Sequence, residues 1–402
     1  MKSKSIKVVI AILAPLMMTC GLAMDIYIPC VPFMPKALNT SVLIIQWTLS
    51  IFMVGMGLGQ WLMGPLSDAY GRKKIMLSSI GLYTLASLLC ALATSAWFLL
   101  AARGIQAISA SGCLVVGNAI IRDSVHSSKS AFAYSILNGI NSLAPLIAPK
   151  LGAYLYISTH RWQATFLFLV IFGMIEIPIV AKFLDETLSK EDRLPVNMKN
   201  WCESQMLFIS NNGFLIYAYA ATIGMSCLFD FFSISPILLI SNLNVSVSNF
   251  GYYFAINAMT FIVATIFCTI FQKLLSNLNI LRLGMSIIAI GSWVMLYYSK
   301  IHELSTSVFM APMCIVTFGA GFIFGPAIAL AMLPFGKRAG YAAATYGVIQ
   351  YSFAAIIGSY IVYYPVNDAS SFGITIGTLA LISVFLLFML KNTEINNNAT
   401  SA

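Results

Sequence analysis

The chain has 402 residues, 59% of them hydrophobic and only 9% charged, which is beyond the apolar share of a water-soluble domain and excludes one. The net charge of +9 is scattered over short loops, so it describes a face apposed to anionic lipid and not a nucleic-acid footprint. The 8 cysteines contain no Cys-x-x-Cys and the 3 histidines (His126, His160, His302) form no cluster, so no metal site, disulfide framework or cofactor is expected.

In chain order, apolar runs of about 20 residues recur, the length that a hydrocarbon core of roughly 30 Å requires. They predict twelve helical spans near 8–30, 43–64, 75–94, 97–121, 130–156, 162–184, 212–240, 249–271, 281–299, 306–333, 338–364 and 371–390. Lys2, Lys4 and Lys7 precede the first run in the manner of a signal peptide. Asp25 interrupts the cleavage region, however, and no small-x-small site follows, so the run is expected to stay as an uncleaved span. Nearly all lysines and arginines fall in the segments on the N-terminal side of the bilayer. The exceptions are Lys36, Arg161, Lys300 and the intramembrane Arg103 and Lys150. That asymmetry places both termini in the cytoplasm.

Six spans precede the longest polar interval, Asp185 to Asn211, and six follow it. The expected organisation is an N-terminal six-helix bundle (1–184), a central cytoplasmic loop (185–211) and a C-terminal six-helix bundle with a short tail (212–402). Such a 6 + 6 layout suggests a binding site between similar halves. Five ionisable residues lie inside spans: Asp25, Arg103, Lys150, Glu176 and Asp230. A charge at bilayer depth costs roughly 2.5–3.5 kcal/mol on insertion scales, so chains keep such groups where they meet a partner or a watery cavity.

Span 1 carries Asp25-Ile26-Tyr27-Ile28-Pro29, with Asp25 near the outer third. Arg103 in span 4 is about 9 Å deep at about 1.5 Å per residue, a depth at which the two can meet. A static ion pair accounts for both; so does a site that takes up and releases a proton. Gln106 follows Arg103 by one turn and shares its face. Between spans 2 and 3, Gly64-Pro65-Leu66-Ser67-Asp68-Ala69-Tyr70-Gly71-Arg72-Lys73-Lys74 reads as a tight turn. Gly71 supplies permissive backbone there, and Asp68 either pairs with Arg72 or caps a helix. In span 5, Asn138, Asn141, Pro145, Pro149 and Gly152 share one helix face, whose small residues permit close packing. Glu176 is expected to pair with or snorkel near Lys182. Lys150 and Asp230 divide evenly between substrate contact and structural pairing.

The order Gly-x-Leu-x-Asp-x-x-Gly-Arg-Lys at 64–73 resembles the signature of the major facilitator superfamily, with Ala69 where a basic residue is usual. Arg103-Gly104-Ile105-Gln106 resembles the span-4 motif of its proton-coupled drug antiporters, which implies a proton-transfer role for Arg103. Ala144-Pro145-Leu146-Ile147-Ala148-Pro149 with Gly152 resembles the antiporter motif of span 5 in its Bcr/CflA-type form. Ser233-Ile234-Ser235-Pro236, the run Gly319 to Pro326, and Ala339-Gly340 with Gln350 extend the likeness over residues 8–390.

The resemblance implies an all-α polytopic membrane protein of twelve transmembrane helices in two six-helix bundles. It also implies a bacterial inner-membrane transporter that exchanges protons for small drugs or metabolites by alternating access. Asp25 and Arg103 are the proton-coupling candidates, with protonation of Asp25 expected to loosen its hold on Arg103. Gly64, Asp68, Gly71, Arg72, Pro145, Pro149 and Gly152 form the conformational motifs. Tyr27, Gln106, Asn141, Lys150, Asp230, Tyr346 and Gln350 are the cavity candidates, with Tyr252, Tyr253 and Tyr351 beside them. Lys150 and Asp230 depart from the family pattern and favour a rival reading, a dedicated carrier of a charged or zwitterionic metabolite. An enzyme is not expected, since no span holds a histidine. Neither is a sensor, which more often carries a sizeable soluble domain. The partners expected are a small-molecule substrate, protons and the lipid bilayer, with the protein a monomer.

Overall fold

The computed structural model describes residues 6–124, 136–137, 139–191, 193, 205–363 and 369–390. Its regular structure among those residues is helical. Eleven segments among them are long and apolar enough to cross a bilayer. For the fifth expected span, only the helix Ala144–Thr159 is fully described. Most of the stretch before it, with Asn138, lies outside the described residues, as do His126 and the tail from Lys391.

The chain divides into two compact units, one of Met1–Met198 with Val245–Ala255 and one of Lys199–Asn244 with Ile256–Ala402. The first holds α1 (Ile6–Asp25), α2 (Val42–Tyr70), α3 (Arg72–Ala91), α4 (Ala96–Ser124), α5 (Ala144–Thr159) and α6 (Gln163–Phe183). The second holds α7 (Asn212–Ser235), most of α8 (Val247–Phe271), α9 (Asn277–Ile301), α10 (Thr306–Ala320), α11 (Phe324–Met332), α12 (Ala339–Tyr363) and α13 (Ser370–Met389).

Helix starts follow local chemistry. Ser41, Asn211, Ser276 and Ser305 each accept a hydrogen bond from the backbone N–H three residues on, at 2.9–3.4 Å. Each thereby satisfies one of the four orphan donors of a helix N-terminus. Outward-facing positions remain apolar and exposed, for example Leu85, Ile171, Met174, Ile266, Ile356 and Phe385. In a bilayer that surface meets acyl chains.

Three spans are not continuous α-helix. α1 stops at Asp25 and gives way to a 3-10 helix, Ile28–Phe33. Pro29 and Pro32 lack the N–H that would continue the ladder, and proline also disfavours α geometry in the residue before it. α7 stops at Ser235 and gives way to a π-helix, Pro236–Asn242, again opened by proline. The tenth span, expected as one helix over 306–333, breaks at Gly321–Ile323 between α10 and α11. Gly321 is there pressed against Ala264 of α8. The break sits on the apolar cluster of Ala264, Cys268, Ile280 and Phe322, flanked by Phe271 and Phe318.

α2 and α3 are separated by one residue. Gly71 has φ +99°, a conformation that side chains rarely adopt, and its N–H closes α2 by donating to Ser67 O at 3.1 Å. This bend turns Arg72 back over the end of α2.

Candidate functional site

Two of the intramembrane ionisable residues, Asp25 and Arg103, lie at the break in α1. The last carbonyls of a helix have no intrahelical donor, and Ala23 is one of them. Arg103 of α4 is fully buried, and its Nη1 donates to Ala23 O at 2.9 Å. The same nitrogen donates to Gln106 Oε1 at 2.6 Å. Gln106 Nε2 donates in turn to Ser87 Oγ of α3 at 2.8 Å. The guanidinium carbon lies 4.1 Å from the centre of the Phe52 ring, 4.5 Å from Tyr27 and 5.8 Å from Phe166. A cation at the C-terminal end of a helix is stabilised by the helix dipole, and aromatic faces add a further attraction that grows when the charge is desolvated. Arg103 is thus held by a helix end, an amide and three rings.

The expected ion pair is not formed. Asp25 is 2% exposed and its Oδ1 is buried without a hydrogen-bond partner. Arg103 Nε and Nη2 are likewise buried and unpartnered. No Asp25–Arg103 bridge within 4.0 Å occurs among the described residues. The sequence placed the two at one depth. What it hid is that α1 ends at Asp25, which offers the arginine a main-chain acceptor. The expectation that protonating Asp25 frees Arg103 is corrected accordingly, because the acceptors of Arg103 are Ala23 and Gln106.

Of the remaining candidates of this unit, Tyr27 and Gly152 lie at the same break. Tyr27 is fully buried and its hydroxyl shares a hydrogen bond with Thr48 Oγ1 at 2.9 Å. Gly152 of α5 lies directly against the Ile26 carbonyl group, with no room for a Cβ. Asn141 has an unpartnered buried Oδ1. Pro145 is half-buried and Pro149 buried. Lys150 is exposed, with its Nζ 4.8 Å from the Tyr252 ring centre.

A second cluster is built at the α2–α3 bend. Arg72 Nη1 lies 2.6 Å from Asp68 Oδ1 and donates to Ser67 Oγ at 2.7 Å, while its Nε is 2.9 Å from Asp123 Oδ2 at the end of α4. The Arg72 backbone N–H donates to Glu186 Oε1 at 2.9 Å, an oxygen that also accepts from Thr187 and Leu188. Glu186 therefore caps the N-terminus of α3 from the segment after α6, where a carboxylate is favoured. Sequence reading singled out Asp68, Gly71 and Arg72 but missed Asp123 and Glu186, which are 51 and 114 residues from Arg72. A Cβ built at Gly64 would meet only Val115, at 4.0 Å, so the glycine is not demanded by close packing. With the Arg72 side chain 3% exposed and Asp68 37% exposed, Arg72→Ala is expected to cost about 3 kcal/mol, the low end for breaking a buried pair. Thermal unfolding in detergent checks this, and an unchanged midpoint would refute it.

In the second unit Asp230 of α7 is fully buried and both of its carboxylate oxygens lack a partner. It packs against Gly358 of α12, where a Cβ would approach Oδ1 to 2.8 Å. Tyr346 and Gln350, on the same helix as Gly358, are buried, and the Tyr346 hydroxyl is unpartnered. Among the described residues no group of histidine, cysteine and acidic side chains is placed to hold a metal.

Membrane-crossing helices with buried ionisable groups along their interior faces define a polytopic transporter. The sequence matches the family described as Major Facilitator Superfamily over residues 13–359. A chloramphenicol resistance protein of Pseudomonas aeruginosa is 34% identical over 88% of this chain and 84% of its own. A bicyclomycin resistance protein homolog of Haemophilus influenzae is 28% identical over 98% and 99%. The fold matches the crystal structure of a D-xylose–proton symporter with a TM-score of 0.76, at 12% identity and over 96% of this chain and 98% of that one. The chain belongs to the Major Facilitator Superfamily and is a membrane transporter, not an enzyme, similar to drug-resistance transporters of the Bcr/CflA type.

Proposed function

We propose that this transporter exports small drugs or metabolites in exchange for protons, by alternating access, and that Asp25 is its principal proton-binding group. The observation that carries this reading is a buried, incompletely hydrogen-bonded Asp25 carboxylate at the end of the helix whose Ala23 carbonyl anchors Arg103. An acid held there is sensitive to whatever charge or water enters beside it, and intramembrane acids of this kind mark proton relays. Arg103 keeps its place through Ala23 and Gln106 while Asp25 gains and loses its proton. One charge crossing a 100 mV potential supplies about 2.3 kcal/mol, to which a pH gradient adds. The similarity to resistance proteins supports drugs as substrates and an inner membrane as the location. The distribution of basic residues supports cytoplasmic termini. We read the protein as a monomer.

The test follows the collapse of a preset pH gradient in everted vesicles as phenicols, bicyclomycin, cationic dyes and zwitterionic amino-acid derivatives are added, with Asp25→Asn vesicles as control. Collapse in the wild type alone supports antiport; silence across the panel overturns it.

A second reading, a dedicated carrier of a charged or zwitterionic metabolite, is favoured by Asp230, whose buried carboxylate has no cation beside it among the described residues, and by the exposed Lys150. Lys150→Leu is expected to change which members of the panel are moved, with losses among anionic and zwitterionic compounds. An unchanged profile would reduce Lys150 to its contact with Tyr252.

A further inference from the structure

Glu176 is a buried acid that the reading above does not use. It lies on the inner half of α6, seven residues before Phe183, so about 10 Å from that end at about 1.5 Å per residue. It is 5% exposed, and Oε2 is buried without a hydrogen-bond partner. The expected pairing with Lys182 does not occur. That lysine points its Nζ toward the Phe183 ring, 5.4 Å from its centre, and among the described residues no cation lies within 4.0 Å of Glu176. An uncompensated charge at this depth costs several kcal/mol, more than a neutral carboxyl does.

The surroundings are polar without being charged. Gly173, one turn before Glu176, is pressed against Thr84 of α3. On α3, Ser79 Oγ and Tyr83 OH are buried and unpartnered. Cys113 of α4 is an electrostatic neighbour of Glu176 and lies beside Thr19 of α1, with Cys20 next to it. Tyr83 has both thiols and Arg103 among its own electrostatic neighbours, and its carbonyl accepts from Ser87, the residue that receives Gln106. Lys73 of α3 reaches the end of α6, where its Nζ donates to Ala181 O at 2.8 Å. The ionisable groups of α5 are engaged or directed elsewhere: Lys150 against Tyr252, Tyr156 stacked on Phe33, Tyr154 exposed. The interior of the first unit thus holds a band of hydroxyls, thiols and amides from Arg103 toward the inner side, and among the described residues Glu176 is the carboxyl within it.

We propose that Glu176 is a second proton-binding carboxyl of this transporter, exchanging its proton with water on the inner side during the transport cycle. The step moves one proton and no electrons: an O–H bond on hydronium breaks, one on Glu176 forms, and release is the reverse. The proposal rests on the proton-coupled reading, and its test separates the two. Purified wild type, Glu176→Gln, Glu176→Asp and Asp25→Asn are titrated in detergent and followed by infrared difference spectroscopy in H2O and D2O. A carboxylic C=O band that titrates, disappears in Glu176→Gln, shifts in Glu176→Asp and survives in Asp25→Asn assigns a titrating proton to Glu176 without any substrate. Identical titrating bands in wild type and Glu176→Gln would overturn the proposal. In vesicles with chloramphenicol as probe, Glu176→Gln is expected to lose pH-driven accumulation while keeping substrate exchange, and Glu176→Asp to restore part of the accumulation. Wild-type accumulation in Glu176→Gln would assign the carboxyl a structural role. If the wild type moves no protons with any compound, the antiport reading fails, and the infrared titration still decides Glu176.

Discussion

In everted vesicles carrying Asp25→Asn, the preset pH gradient is expected to persist when a substrate is added, with the variant present in the membrane at the wild-type level. Asparagine keeps the volume of the carboxyl and most of its polarity but cannot take up or release a proton. Its effect on folding is expected to stay within about 1 kcal/mol, the scale of a single net hydrogen bond. Arg103 should not move, because its acceptors are Ala23 O and Gln106 Oε1. The variant therefore separates chemistry from architecture: coupled transport is lost while substrate binding and exchange survive. Normal pH-driven transport by Asp25→Asn would remove this residue from the mechanism.

The second large effect is structural. Gly152→Ala is expected to prevent stable packing of α5 on α1, seen as a sharply lower yield of monodisperse protein or a large drop in the unfolding midpoint. A Cβ at position 152 would overlap the Ile26 carbonyl oxygen and stand 2.7 Å from its carbon. Overpacking typically costs 1–3 kcal/mol, about the upper end of which applies here because the opposing atoms are backbone and cannot rotate away. Gly81→Ala serves as the contrast, since nothing lies within 4 Å of the added methyl and the site is within α3. That change is expected to be neutral or stabilising by up to about 1 kcal/mol. Equal behaviour of the two variants would contradict the packing described at the break.

Hydropathy made the spans legible because every membrane helix must be apolar over a fixed length, a constraint written residue by residue. Pro29 and Pro236 stand at two of the breaks, yet the apolar runs 8–30 and 212–240 continue through them, so hydropathy alone marks neither. The interruption at Gly321–Ile323 falls in a run containing Gly319, Gly321, Gly325 and Pro326, which hydropathy reads straight through. Arg103, Gln106 and Asp25 were identifiable as polar residues in apolar runs. The acceptor of Arg103 was not, because a carbonyl belongs to every residue and Ala23 carries no distinguishing side chain. Lys182 was mistaken as the partner of Glu176 because it is near in sequence. Six residues along a helix turn it roughly 120° away. Asp123 and Glu186 escaped notice for the opposite reason: their bonds to Arg72 close long loops.

The arginine that grips a main-chain carbonyl also determines where a defect at that position can be repaired. A charge exchange, with arginine at 25 and aspartate at 103, supplies no group able to meet Ala23 O, so reciprocal swaps should fail to restore activity. Substituting residue 23 cannot delete the acceptor either, since the carbonyl stays whatever side chain is attached. Second-site suppressors of a weakened Arg103 variant should instead map to the residues that decide where α1 stops, from Ile28 to Pro32, and selection for them is a genetic way to locate the hinge.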